Sequence, residues 1–243
     1  MSAKGSSRFS GSVVLVAGGT GGLGRAVSEA FLADGAAVVA TYRRKEELDR
    51  LSEEAGGGAS RLEGAMADVT DAKAAAELVR GIVARRGRLD VLVNAVGGFA
   101  GGAKLWEADA GELDGMLGVN LLPCWALSRA AAPAMVGRKS GAIVHVVSRA
   151  AVEHGAGQAA YAASKAAALA LTDSLAADLR GTGVRANAVL PSIMDTEANR
   201  RAMPKADFGK WPKTEEVARV ILFLCSDAAA LVHGAAIPVY GNH

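Results

Sequence analysis

Tyr161 and Lys165 stand four residues apart in the segment Tyr-Ala-Ala-Ser-Lys. On a helix that spacing puts both side chains on one face. A tyrosine hydroxyl titrates near pH ~10 and is a poor base at neutral pH, but an ammonium group beside it favours the phenolate. Lowering that pKa by two or three, at about 1.4 kcal/mol for each, would make Tyr161 a usable proton carrier. Ser148 closes an apolar run ahead of Tyr161 and is placed to hydrogen-bond a substrate oxygen and steady developing charge. Asn120 falls inside a longer helical stretch, where its amide is expected to kink the helix and hold a proton-relay water. A bare Tyr-x-x-x-Lys is common by chance. What gives it weight here is the arrangement at the start of the chain.

Between a first apolar run and a helical pattern stands Ala17-Gly18-Gly19-Thr20-Gly21-Gly22-Leu23-Gly24. Glycines at such a turn let the backbone approach a pyrophosphate, whose charge meets the free N–H groups of the following helix. Two spacings fit, Gly18, Gly22, Gly24 or Gly18, Gly21, Gly24. Thr20 and Leu23 lie within the same loop and are expected to contact the cofactor with it. The second strand ends in Thr41-Tyr42-Arg43-Arg44. An acidic residue there would accept from the adenosine ribose and favour NAD(H). Arg43 and Arg44 instead suit a 2′-phosphate, so NADP(H) is the expected cofactor, with NAD(H) the alternative. Asp68 and Val69 follow the third strand and are placed to hold the adenine amino group. Asn94-Ala95-Val96-Gly97 ends the fourth strand beside the expected crevice, so Asn94, Ala95 and Gly97 join the cofactor set.

These residues need a frame. Strands are expected at 12–17, 36–41, 60–66, 89–95, 141–148, 184–190 and 235–240. Helices are expected near 22–34, over 45–55, from Asp71 onward, as one long helix over roughly 110–135, and over 157–180 and 215–226. Alternating helices and continuously apolar strands imply a parallel sheet covered on both faces. The expected fold is α/β, a three-layer doubly wound Rossmann fold with about seven parallel strands. Residues 1–243 read as a single dinucleotide-binding domain, with 1–11 flexible. The tract 197–213 lacks clear periodicity and follows a strand's carboxyl end, where such folds bind ligands. It is expected to be the substrate loop.

Half of the 243 residues are apolar, and 27 basic residues oppose 25 acidic ones for a net charge of +2. That balance offers no concentrated basic face, so no nucleic-acid partner is expected. No apolar stretch reaches the ~18 residues of a membrane span. The polar beginning lacks a signal-peptide core, so a cytoplasmic setting is expected. Cys124 and Cys225 lie in apolar helical runs and read as buried free thiols. His145 and His233 show no ligand spacing and no metal is expected; His154 reads as a surface residue.

With AGGTGGLG, Asp68-Val69-Thr70, VNAVGG, Asn120, Ser148, YAASK and PSIMDT on the page, the chain resembles the classical short-chain dehydrogenase/reductase family from Ser12 to Gly241. The resemblance implies that Asn120, Ser148, Tyr161 and Lys165 form a catalytic tetrad, and that Tyr161 and Lys165 also contact the cofactor, Lys165 at the nicotinamide ribose. It implies that Pro191, Ile193 and Thr196 line the nicotinamide, with the Thr196 hydroxyl near its carboxamide. It also selects the Gly18, Gly22, Gly24 register. Three positions depart from the family pattern. Ala17 stands where a threonine usually precedes the first glycine. Val93 leaves Asn94 as the one asparagine on the adenosine side. Ser192 replaces a glycine after Pro191. The expected activity is hydride transfer between nicotinamide and a small-molecule ketone, 3-oxoacyl or alcohol substrate. NRRAMPKADFGKW is similar to a segment of dihydropteridine reductases, so a pterin reductase is one alternative. A non-catalytic cofactor-sensing protein on the same fold is another. Small-residue faces (SRAAAPAM, YAASKAAALALT) and the family's habit of pairing these helices imply a homotetramer, or a homodimer.

Overall fold

Val13–Ala17 is a run of five apolar residues, all buried, and it forms the first strand, β1. Its side chains alternate between two cores. Val14 and Val16 join Val27 and Phe31 on one face, while Val13, Leu15 and Ala17 join Ile82 and Leu127 on the other. The computed structural model describes residues 7–241. After β1 come α1 (Gly22–Ala33), β2 (Ala37–Tyr42), α2 (Lys45–Glu54), β3 (Leu62–Met66), α3 (Ala72–Arg86) and β4 (Val91–Asn94). The second half holds α4 (Glu112–Asn120), α5 (Leu122–Arg138), β5 (Gly141–Val146), α6 (Ala159–Asp178), β6 (Val184–Pro191), α7 (Glu197–Ala202), α8 (Thr214–Cys225) and β7 (Ala236–Val239).

Seven parallel strands lie in the order β3-β2-β1-β4-β5-β6-β7. The order reverses between β1 and β4, which makes that boundary the switch point where ligands bind in such sheets. Their register sets Ala17 opposite Asn94, so the glycine loop and the residues after Asn94 leave the sheet at one level. Helices α1 and α8 pack together on one face; α3 and α5 pack together on the other, with α6 beside them.

Three expectations are corrected, and the tract 197–213 is given its local structure. The long helix over 110–135 is two helices, α4 and α5, meeting at Leu121. Pro123 has no N–H for the Val119 carbonyl and crowds it, so the helix restarts with proline in its first turn. Pro133 is tolerated inside α5. The tract 197–213 is ordered: Thr196 accepts from Asn199 N at 3.1 Å and caps α7, and a short 3₁₀ turn follows at Phe208–Lys210. Residues 1–6 lie outside the described residues, but 7–11 are anchored rather than flexible. Phe9 packs edge-on against Phe31 with ring centroids 4.8 Å apart, and Arg8 pairs with Asp34 at 2.7 Å. Finally, β3 starts only at Leu62, because a 3₁₀ turn occupies Gly56–Arg61.

Candidate active site

The glycine loop turns on Gly18, whose φ of +72° favours glycine, and closes on Gly24, where a Cβ would stand 2.0 Å from the Gly18 carbonyl. Helix α1 then begins with no side-chain cap and no acidic residue in its first turn. Its free N–H groups are thus available to an anion. Ala17 supplies no hydroxyl to this turn, yet Gly18 N is satisfied. It donates to Thr41 Oγ1 at 2.7 Å. Thr41 was not singled out from the sequence; the missing threonine at Ala17 was the signal that some other acceptor had to serve.

A cleft of about 790 Å³ opens over this loop. Gly18, Thr20, Gly22, Leu23, Gly24, Arg43, Arg44, Asp68, Val69, Ala95 and Gly97 all line it, as expected, together with Tyr42, Glu47 and Met66. Uncapped helix, close-packed glycine turn and a cleft at the switch point fit a dinucleotide. Asn94 does not reach the cleft. It is buried, donates to Cys124 Sγ at 3.2 Å and accepts from Val96 N at 3.2 Å, so the crevice wall is made by the residues after it. Asp68 is half committed: its Oδ1 accepts from Thr70 N at 3.0 Å and Thr70 Oγ1 at 2.6 Å, which holds its carboxyl below the usual range. Arg44 is not free either, since both its Nε, at 2.9 Å, and its Nη2 donate to Glu47 Oε1. Arg43 has no ion-pair partner among the described residues.

Farther along the same sheet edge, the tetrad residues converge. Lys165 is 5 % exposed, and its Nζ donates to Val146 O at 3.2 Å while lying 6.0 Å from the Tyr161 ring centroid. Burial pulls its pKa from 10.5 down to about 8. Both Lys165 Nζ and Asn120 Oδ1 rest against Gly97, at 3.1 and 2.9 Å from where a Cβ would stand. Ser148 follows β5, and its Oγ accepts from Ala150 N at 3.1 Å. Burial raises the Tyr161 pKa, and the Ser148 hydroxyl beside it pulls the other way. Burial therefore opposes the phenolate that Lys165, lying against the ring face, would favour.

The Asn120 amide is held on both its oxygen and its nitrogen by the protein. Its Oδ1 accepts from Gly98 N at 3.0 Å, and its Nδ2 donates to Gly98 O at 3.1 Å and Ser164 Oγ at 3.0 Å. Ser164 in turn donates to the Tyr161 carbonyl at 2.8 Å. Asn120 thereby ties α4, the loop after β4 and the helix carrying Tyr161 and Lys165. That loop presents Phe99, a residue the sequence did not flag, edge-on to the Tyr161 ring with centroids 5.0 Å apart.

At the end of β6, Pro191 is buried and Ile193 exposed, and neither lines the glycine cleft. Thr196 does approach it, since its Cγ2 lies 3.0 Å from the position of a Cβ on Gly22. Beyond it, Arg200 grips Asp195 through two bonds of 2.6 and 2.8 Å and lies 4.9 Å above the Phe208 ring. His145 is a core residue between Ser128 and Thr172, and burial lowers its pKa to about 4. His233 bridges Ala186 N and Ala176 O, and His154 is exposed. Cys124 and Cys225 are free and buried. Among the described residues no cluster of metal-ligand type occurs, and no helix is long and apolar enough to cross a membrane.

Comparison with known proteins agrees with this geometry. The family model described as short chain dehydrogenase matches residues 12–207. A 3-oxoacyl-(acyl-carrier-protein) reductase of Thermotoga maritima is 35% identical, covering 97% of this chain and 98% of the relative. A D-threitol dehydrogenase of Mycolicibacterium smegmatis is 32% identical, covering 97% and 94%. Among solved structures, ElxO with NADP bound is 27% identical and superposes with a TM-score of 0.89, covering 95% of this chain and 97% of that one.

Proposed function

The chain belongs to the short-chain dehydrogenase family, and on that premise we propose that it is an NADP(H)-preferring reductase of small ketone or 3-oxoacyl substrates, working through Asn120, Ser148, Tyr161 and Lys165. The broader activity, nicotinamide-dependent interconversion of carbonyl and alcohol, is that of the family and its relatives. One observation carries the reductase reading: a buried lysine lies against a half-buried tyrosine whose hydroxyl faces a serine, beside Gly97 of the cleft.

When bound, the nicotinamide supplies or accepts hydride at the substrate carbon. Tyr161 gives its phenolic proton to the carbonyl oxygen during reduction. Ser148 donates a hydrogen bond to the same oxygen, steadying the charge that develops there. Lys165 stabilises the resulting phenolate and binds the ribose. Asn120 keeps these groups in register by clamping Gly98 and Ser164. Phe99 walls the substrate side of the phenol, and the tract 197–213, which follows the end of β6, serves as the substrate loop.

NADP(H) preference rests on Arg43, the guanidinium without an ion-pair partner, with Arg44 behind it. A cytoplasmic setting accords with two free cysteines. A homotetramer accords with the exposed apolar stripe Leu122, Trp125, Pro133 and Val136 on α5. The reading is tested by following NADPH oxidation against a panel of ketones, 3-oxoacyl thioesters and dihydropterins. Turnover of the first two classes supports it, and turnover of none of them overturns it.

A further inference from the structure

Glu47 stands in the first turn of α2, and its carboxylate reaches the rim of the cleft. One oxygen, Oε1, accepts from Arg44 at 2.9 Å through Nε, and the other, Oε2, accepts from Thr20 Oγ1 of the glycine loop at 3.1 Å. The carboxylate therefore bridges the glycine loop to one of the two arginines expected to read a 2′-phosphate. A charged pair of this kind offers a phosphate far less than a lone guanidinium does. A phosphomonoester carrying roughly −1.5 to −2 charges is moreover repelled by the carboxylate itself. A ribose diol has the opposite preference, because its hydroxyls are donors and a carboxylate is an acceptor. The end of β2 provides no acid for such a diol, having Tyr42 and Arg43 there; Glu47 brings one to the same rim from the next helix.

We propose that Glu47 is the residue that restrains selection of NADPH over NADH, by occupying Arg44 and by presenting its own charge where the 2′ substituent lies. The proposal rests on the reading that this cleft holds a nicotinamide dinucleotide. It makes the preference of the natural chain a narrow one, resting on Arg43 alone.

The test is cofactor binding rather than turnover: fluorescence titration of the protein with NADPH and with NADH, for the natural chain and for Glu47→Gln. Glutamine keeps an acceptor for Thr20 and the shape of the side chain while removing the charge. NADPH should bind about tenfold more tightly, equivalent to ~1.4 kcal/mol, and NADH should change by less than about threefold or weaken. Adding Arg44→Gln to Glu47→Gln should remove most of the gain. Weaker NADPH binding in Glu47→Gln would make Glu47 a support for Arg44 and overturn the proposal, as would equal shifts for both cofactors. If neither cofactor binds the natural chain, the dinucleotide reading itself fails, and the proposal with it.

Discussion

At the scale of single residues, the proposed chemistry turns on two side chains whose charged forms burial disfavours. Among the described residues Lys165 has no carboxylate partner, and its pKa falls from 10.5 to about 8. In the unfolded chain the same amine holds its proton to about pH 10.4. Between those values the unfolded state binds more protons, so stability rises with pH across that window. Below about pH 8 both states are protonated and the fold carries the whole cost of the buried ammonium, on the order of 3 kcal/mol. Lys165→Met should therefore be more stable than the natural chain near neutral pH, with the difference shrinking as pH climbs toward ~10. Urea denaturation across that range measures it; a variant no more stable at neutral pH would show that the ammonium is well solvated. Catalysis has the opposite interest, since the charged form supports the phenolate, and reduction should decline above about pH 8.

At the scale of elements, the glycine loop depends on the neighbouring strand. Thr41 in β2 holds Gly18 N, and with valine there a part-buried N–H would lose its acceptor, at a cost of about 1 kcal/mol. Thr41→Val should lower the unfolding free energy by that amount and weaken cofactor binding; an unchanged denaturation midpoint would mean the loop finds another acceptor. This contact also shows how far the sequence could be read. Apolar runs marked the strands, β3 (Leu-Glu-Gly-Ala-Met) least clearly, and the spacing of Tyr161 and Lys165 marked a shared face of α6, because periodicity and helical geometry are local. What was not legible depends on where distant side chains end up. Glu47 reads as an ordinary charge in an amphipathic helix until Thr20 and Arg44 are seen around it, and Phe99 reads as part of a glycine-rich loop until Tyr161 lies beside it. The division of α4 from α5 was within reach, since Pro123 marked it, but the apolar pattern on either side outweighed the proline.

At the scale of the whole molecule, α5 leaves Leu122 and Trp125, one helical turn apart, 45% and 56% exposed, and the neighbouring α6 offers the small residues Ala163, Ala170, Ser174 and Ala177 on its outer side. Apolar and small faces of this kind suit close packing against symmetry mates. Light scattering should report a tetramer, and Trp125→Glu should shift it toward smaller species by burying an unpaired charge in the interface. A natural chain that remains a monomer at micromolar concentration would contradict the proposed assembly.

The central claim, that Tyr161 carries the proton while the cofactor is held elsewhere, is tested most directly by Tyr161→Phe. The substitution removes one hydroxyl and keeps the ring against Phe99. Turnover with the best carbonyl substrate and the NADPH dissociation constant should be measured on the same preparation. The account predicts a loss of turnover of about 10²–10⁴-fold with cofactor affinity within about threefold of the natural chain. A variant that keeps near-natural turnover would contradict it.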